Sequence, residues 1–399
     1  MPPEATATAP AGAATVPSWD GAWREPITFI SPSRYVQGPG VLSQLAAHVA
    51  RLGTHALVVT STGTWGRLGD QAIAGAMDAG IAFSPFVFSG ESTAADIDNG
   101  VAALAAAGAD VVVGFGGGKV VDTAKAIGHR AGTPWIIVPT LASTDAPCSS
   151  LSVVYAEDGE LLEYLFLQKS PDLVLVDSAV VAQAPARYLA AGMADAISTR
   201  FESAAAASSG TITCAGGRPS AAALALGRLA WDVVRDHGVG ALRAVEANTV
   251  TEAVELVIEV NTLHSGLGFE SGGFSGAHAI HNGLLMAPST AGALHGEKVN
   301  FGVLAQMVLE RRPDRELDEL IALSRSLGLP VTLAQLGATN GLDEDELRRV
   351  AERTCVPGEG IHQLPFPVTT GMLASAVVAA DAYARGAIAD SPATAVPGA

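Results

Sequence analysis

Residues 269–298 read FESGGFSGAHAIHNGLLMAPSTAGALHGEK and hold His278, His281 and His295, three of the chain's nine histidines. Glu270, Asn282, Glu297 and Lys298 stand beside them. Imidazoles and carboxylates at this density, in a chain with only 16% charged residues, are a donor set for a divalent metal or for proton transfer. A buried apolar helix with satisfied histidines gives the same pattern, and spacing does not choose among the three.

A second chemical signal lies upstream. Gly114-Phe115-Gly116-Gly117-Gly118-Lys119 follows a β-branched run and precedes a helical stretch. Glycines at such a turn let backbone N–H groups approach a phosphate at a helix N-terminus, whose dipole favours the charge. The run is not GxGxxG, because Lys119 takes the last glycine position, nor a Walker loop, because Val120 stands where Ser or Thr must be. A turn kept tight only for packing is the competing reading. Residues 138–150 (VPTLASTDAPCSS) then offer the hydroxyls of Thr140, Ser143, Thr144 and Ser149 and one carboxylate, Asp145. These groups suit a cofactor's phosphate, amide or ribose and a polar substrate; an Asx-turn loop is the plain alternative.

The elements that must position these groups divide at about residue 185. Before it, apolar runs at 56–60, 86–88, 111–114, 135–138 and 173–176 read as buried parallel strands. They alternate with helices such as 96–108, which predicts an α/β, doubly wound, mostly parallel sheet over residues 25–185. After it the strand signals stop, predicting an all-helical region over 186–389. Helices are expected from Ser220 to His237, closed by Gly238; after a capping box of Thr249 and Glu252; and around Leu317–Leu327, closed by Gly328 and Pro330. Residues 1–24 and 390–399, rich in Ala, Thr and Pro, read as disordered.

Composition bounds the function. A formal net charge of −17 argues against a nucleic-acid surface. Cys148, Cys214 and Cys355 form no CxxC pair, which fits a reducing compartment and excludes a cysteine zinc site. The first residues lack a secretory n-region, and no uninterrupted apolar run approaches the roughly 18 residues of a membrane span. A soluble, cytoplasmic protein is expected.

Six segments, GGGKVVDTAKA (116–126), PTLASTDAPCSSLSVVY (139–155), APARYLAAGMADA (184–196), GFESGG (268–273), AHAIHNG (277–283) and HGEKVNFG (295–302), together resemble the glycerol dehydrogenase branch of the iron-containing (group III) alcohol dehydrogenases. The similarity runs from about Tyr35 to Ala384. It implies the dehydroquinate synthase-like fold, with an N-terminal dinucleotide-binding domain and a helical C-terminal domain. It implies one divalent metal, usually zinc, on Asp195, His278 and His295, with His281 outside the ligand set as an outer-sphere or relay residue. NAD is implied on Gly116, Gly117, Gly118, Lys119 and Asp122 at the diphosphate, and on Thr140, Ser143, Ser149, Leu151 and Tyr155 around the nicotinamide half, with Asp145 on substrate. The implied reaction is hydride transfer between a secondary alcohol of a glycerol-like polyol and nicotinamide, with reverse ketone reduction, in a homo-oligomer, often an octamer.

Two departures stand out. Ser61 occupies the position where family members often carry an Asp for the adenine-side ribose, which leaves NADP open beside NAD. Residues 362–368 (HQLPFPV) are also unlike the family pattern. Alternatives are a dehydrogenase for another alcohol or ketone, and a zinc- and NAD-dependent sugar-phosphate cyclase, which would release phosphate. A non-catalytic binding protein is a third alternative, which a failure to bind zinc would favour.

Overall fold

The computed structural model describes residues 25–156 and 161–390; the stretches 1–24 and 391–399, expected to be disordered, lie outside the described residues. Six strands form one parallel sheet: β1 (Tyr35–Gly38), β2 (His55–Thr60), β3 (Ala82–Val87), β4 (Val111–Gly116), β5 (Trp135–Pro139) and, after an antiparallel hairpin of β6 (Leu151–Tyr155) and β7 (Leu161–Phe166), β8 (Leu173–Asp177). Their order is β1-β8-β5-β4-β2-β3.

The continuous β-branched runs are explained by the two faces of this sheet. Alternate residues of one strand enter different cores: Leu57, Val59, Val112, Ile137 and Val174 on one face, Ala56, Val58, Val113, Ile136 and Leu175 on the other. A strand covered on both sides has no polar face to show. The run at 86–88 was expected to be buried, yet β3 is the sheet's edge, pairs only with β2 and leaves Val87 52% exposed. Pro85 within it fits an edge position, where no ladder donor is missed.

Among the described residues, every strand precedes Ser178 and the rest is helical. The principal helices are α1 (Thr62–Ala72), α2 (Ala94–Ala107), α3 (Gly118–Ala131), α4 (Ala186–Ser209), α5 (Ala221–Glu246), α6 (Glu252–Glu259), α7 (Ser265–Gly272), α8 (Gly276–Leu284), α9 (His295–Leu309), α10 (Asp314–Ser326), α11 (Glu344–Thr354) and α12 (Thr370–Asp390). A π turn, Val260–His264, joins α6 to α7.

Two expected helix boundaries are corrected. Gly238 does not end α5; a Cβ there would lie 2.8 Å from Leu327 Cδ2 and 3.1 Å from Met193 Sδ, so this glycine serves close helix packing. The cap of α6 is Thr251, whose side chain accepts from Val254 N, not a box of Thr249 with Glu252. By length and composition Thr370–Ala389 is apolar enough to cross a bilayer, unlike the expectation above. It buries Leu373, Val377, Ala380 and Ala384 along one stripe, and its Asp381 accepts from Leu333 N and pairs with Arg385.

The strand order places the site. From β2 the chain moves outward to β3, whereas from β4 it moves the other way to β5. The crevice between the carboxyl ends of β2 and β4 is therefore the topological switch point, where open α/β sheets bind ligands.

Candidate active site

Asp195 lies in the third turn of α4, wholly buried. Its Oδ1 faces His278 Nε2 at 3.3 Å and His295 Nε2 at 3.2 Å. Ligand atoms of the three residues all fall within 4.8 Å of one another. His278 stands in the first turn of α8 and His295 opens α9, so three helices converge on one point.

The tautomers follow from the partners behind each ring. Glu202 Oε2 lies 2.6 Å from His278 Nδ1, and a carboxylate accepts, so this Nδ1 carries its proton outward. Behind His295, Nδ1 meets His281 Nε2 at 3.0 Å, while His281 Nδ1 meets Asn282 Oδ1 at 3.1 Å. Asn282 donates from Nδ2 to the Tyr164 hydroxyl and to Glu359 Oε2, which fixes its oxygen as the acceptor toward His281. Burial, with His295 and His278 alongside, holds His281 well below the usual histidine range and keeps it neutral. His281 Nε2 is thus an acceptor and His295 Nδ1 a donor. The two Nε2 atoms remain, both aimed at one carboxylate oxygen, an arrangement that protons on Nε2 or a shared cation would satisfy. Burial opposes charge on His278 and on Asp195 alike, yet the Glu202 and Asp195 carboxylates hold His278 well above its ordinary value. His295 and His278 in turn hold Asp195 far below its own. Two imidazoles and a carboxylate fit a divalent ion with an open position.

Asp145 joins the cluster from the loop after β5. Its backbone N donates to Asp195 Oδ2 at 3.1 Å, and Ser265 Oγ donates to its Oδ2 at 3.2 Å. Burial, with Asp195 next to it, pushes the Asp145 carboxyl well above the carboxylate range.

The cofactor candidates line the switch point. Gly116 ends β4, Gly117 is the N-cap of α3 with no capping side chain, and Gly118 and Lys119 begin the helix. The glycines divide by purpose. A Cβ on Gly114 or Gly116 would strike Ala124 Cβ at 2.6 Å or Val120 Cγ2 at 2.7 Å, whereas one on Gly118 meets only Thr144 Oγ1, at 3.7 Å. The first two serve strand–helix packing; among the described residues, no atom explains Gly118. An uncapped N-terminus on a 14-residue helix beside that space fits a diphosphate. Lys119 Nζ pairs with Glu91 Oε2 at 2.6 Å.

The other cofactor candidates are placed as follows. Asp122 is buried and pairs with fully buried Lys125 at 3.1 Å. Ser149 Oγ donates to Ala146 O at 3.2 Å and lies 3.3 Å from Lys125 Nζ, so its hydroxyl is engaged inside the loop. Thr140 follows β5, its N donating to Gly116 O at 2.9 Å, and Ser143 lies in the half-buried loop beyond. Leu151 and Tyr155 begin and end β6 in the hairpin. Ser61 follows β2 and caps α1, its Oγ accepting from Thr64 N at 3.1 Å.

Comparison with known proteins decides the family. The model of the iron-containing alcohol dehydrogenases matches residues 32–178. A glycolaldehyde reductase of Halobacterium salinarum is 46% identical over 90% of this chain and 98% of its own length. A glycerol dehydrogenase of Thermotoga maritima is 44% identical over 90% of this chain and 98% of its own. The chain belongs to the glycerol dehydrogenase branch of the iron-containing alcohol dehydrogenases. The solved glycerol dehydrogenase of Schizosaccharomyces pombe superposes with a TM-score of 0.88 at 35% identity, covering 92% of this chain and 93% of that one.

In this member of the branch, sequence reasoning missed four residues that build the site. Glu202 follows Asp195 by seven positions on α4 and so shares its face, a signal that was available. Asn261 lies within the π turn and Ser265 directly follows it; Asn261 Nδ2 donates to Ala142 O at 2.9 Å and Leu189 O at 3.1 Å, tying the loop after β5 to α4. Lys125 donates to Ala146 O and Leu151 O beneath the same loop. Nothing in composition marked these three.

Proposed function

We propose that this enzyme transfers hydride between a secondary hydroxyl of a small, glycerol-like polyol and a nicotinamide cofactor, and runs the reverse ketone reduction. One observation carries the reading: the Asp195 carboxylate presents Oδ1 to both histidine Nε2 atoms and Oδ2 to the backbone of Asp145. Cation donors and the loop that would meet nicotinamide are thereby held at one point.

Asp195, His278 and His295 hold the ion, with zinc favoured by a donor set of two imidazoles and one carboxylate. When bound, the ion supplies Lewis acidity that lowers the alcohol's pKa. Asp145, kept in place by Ser265, hydrogen-bonds a second substrate hydroxyl and so selects polyols over simple alcohols. His281 holds His295 in the tautomer that leaves Nε2 free. The glycine turn takes the diphosphate, and the loop from Thr140 to Ser149 with β6 orients the nicotinamide so that hydride moves between aligned carbons. NAD is the first cofactor, and NADP is accepted because Ser61 brings no carboxylate against a 2′-phosphate. In this reading residues 25–185 bind the cofactor and 186–389 supply the metal ligands. The unpaired cysteines support a cytoplasmic setting, and the homo-oligomer is carried over from the family. The sugar-phosphate cyclase reading is not favoured: the relatives described above are a reductase and dehydrogenases.

The test is to strip divalent metal with a chelator, restore zinc, and follow reduced-nicotinamide absorbance with glycerol and a polyol panel. Zinc-dependent turnover with vicinal diols is expected. No metal-dependent turnover with either NAD or NADP would sink the proposal.

A further inference from the structure

Glu202 is wholly buried and has no place in the reaction as described so far. Its surroundings are specific. Ser275, at the N-cap of α8, makes no side-chain cap, which leaves the first-turn N–H groups of that helix needing acceptors. Glu202 Oε1 accepts from Ser275 N at 2.8 Å and from His278 N at 3.0 Å. Gln306 Oε1 accepts from Ala277 N at 2.9 Å. A carboxylate from one helix and an amide from another therefore cap α8 together. The remaining Glu202 oxygen, Oε2, accepts from His278 Nδ1 at 2.6 Å.

One side chain thus fixes both the backbone and the ring of His278. The backbone bonds set where α8 begins; the ring bond sets which nitrogen keeps its lone pair. Asp195 and Glu202 sit on the same helix seven residues apart, about 10 Å along the axis at ~1.5 Å per residue, with the His278 imidazole between their carboxylates. The second histidine is treated differently, since His295 leans on neutral His281. The two ligands carry unlike outer partners, one anionic and one neutral.

We infer that Glu202 is the positioning residue of the metal centre: it locks His278 in the Nδ1–H tautomer, with Nε2 as donor, and thereby sets the affinity for the ion. The inference rests on the metal site proposed above. Outer hydrogen bonds of this kind orient ligating histidines and raise their basicity, and losing one weakens metal binding by about 10–100-fold.

Glu202→Gln separates this role from capping. Gln keeps an oxygen for the two backbone donors, so α8 retains its cap. Its NH2 group faces His278 Nδ1 as a donor and drives the ring toward the opposite tautomer, with the proton on Nε2. Gln306→Ala is the control, because it removes a cap bond from α8 without touching the imidazole. Zinc affinity of the metal-stripped full-length protein is measured by competition with a chromophoric chelator, together with the visible spectrum of the cobalt-loaded protein and the melting temperature of the metal-free form.

Glu202→Gln is expected to weaken zinc binding about 10–100-fold and to alter the cobalt spectrum, while the metal-free protein melts near the wild-type temperature. Gln306→Ala is expected to leave zinc affinity within about twofold, with any loss confined to melting. Unchanged zinc affinity in Glu202→Gln, an equal loss in Gln306→Ala, or a Glu202→Gln protein that no longer folds would each overturn the inference. Wild-type protein that binds no zinc would instead refute the metal site itself, so the two failures are distinguishable.

Discussion

The alanine substitution at Gly116 should cost stability, whereas the one at Gly118 should spare stability and weaken cofactor binding. Gly116→Ala places a Cβ 2.7 Å from Val120 Cγ2 and 2.9 Å from Val120 Cβ, both far inside contact distance. A β-branched side chain in the first turns of α3 cannot swing away, so overpacking costs about 1–3 kcal/mol. Gly118→Ala meets nothing nearer than Thr144 Oγ1 at 3.7 Å and begins a regular helix. Replacing glycine by alanine in a helix gains up to about 1 kcal/mol in the interior and less in the first turn. The metal-free Gly118→Ala protein should therefore be as stable as wild type or slightly more so. In the proposed site its added methyl group stands where the diphosphate would approach the backbone, so KM for NAD should rise about tenfold or more, equivalent to a loss of ~1.4 kcal/mol. Denaturant midpoints and steady-state KM values on both variants make the comparison. If Gly118→Ala leaves the KM for both NAD and NADP unchanged, the diphosphate does not approach the backbone at Gly118.

Two further outcomes follow from single side chains. Ser61→Asp keeps an oxygen to cap α1, so stability should hold while the ratio of kcat/KM for NAD over NADP rises about tenfold or more through repulsion of the 2′-phosphate; a ratio that stays put would mean the ribose lies elsewhere. Burial pushes the Glu270 carboxyl from 4.5 up to about 7, against hydrogen bonds from Ser150 and the charge of Lys125. A carboxyl with a raised folded pKa binds more protons folded than unfolded, so stability should fall between about pH 4.5 and 7 and level off above. The drop is on the order of 3 kcal/mol and should vanish from the urea-midpoint profile of Glu270→Gln; an identical slope in the variant would assign it to other groups.

How much of this was legible depended on whether the physical cause was local. β2, β4, β5 and β8 announced themselves because strands buried on both faces need apolar residues at every position. β6 and β7 did not, because a half-buried hairpin without clean alternation resembles loop, and residues 151–155 were absorbed into the cofactor segment. Gly238 misled because a glycine that ends a helix and a glycine that admits a neighbouring helix look the same in one dimension. At the site, composition supplied three histidines and no means of choosing; the family resemblance separated His278 and His295 from His281, and the tautomer chain through Asn282 now gives a physical basis for that separation. Asn261 was unreadable, since its two carbonyl partners, Ala142 and Leu189, lie 119 and 72 residues away and meet it only through a π turn.

The Asp195 carboxylate divides its oxygens between two structures, the histidine pair on one side and the Asp145 backbone on the other. In the proposed site, a group shared in this way would link the two binding events thermodynamically. Whatever factor the ion contributes to ordering the loop after β5, and hence to the affinity for what the loop grips, must be returned equally to the affinity for the ion. If the proposed sites hold, metal loading and cofactor loading would not be independent equilibria, and a dissociation constant for either would carry meaning only with the occupancy of the other specified.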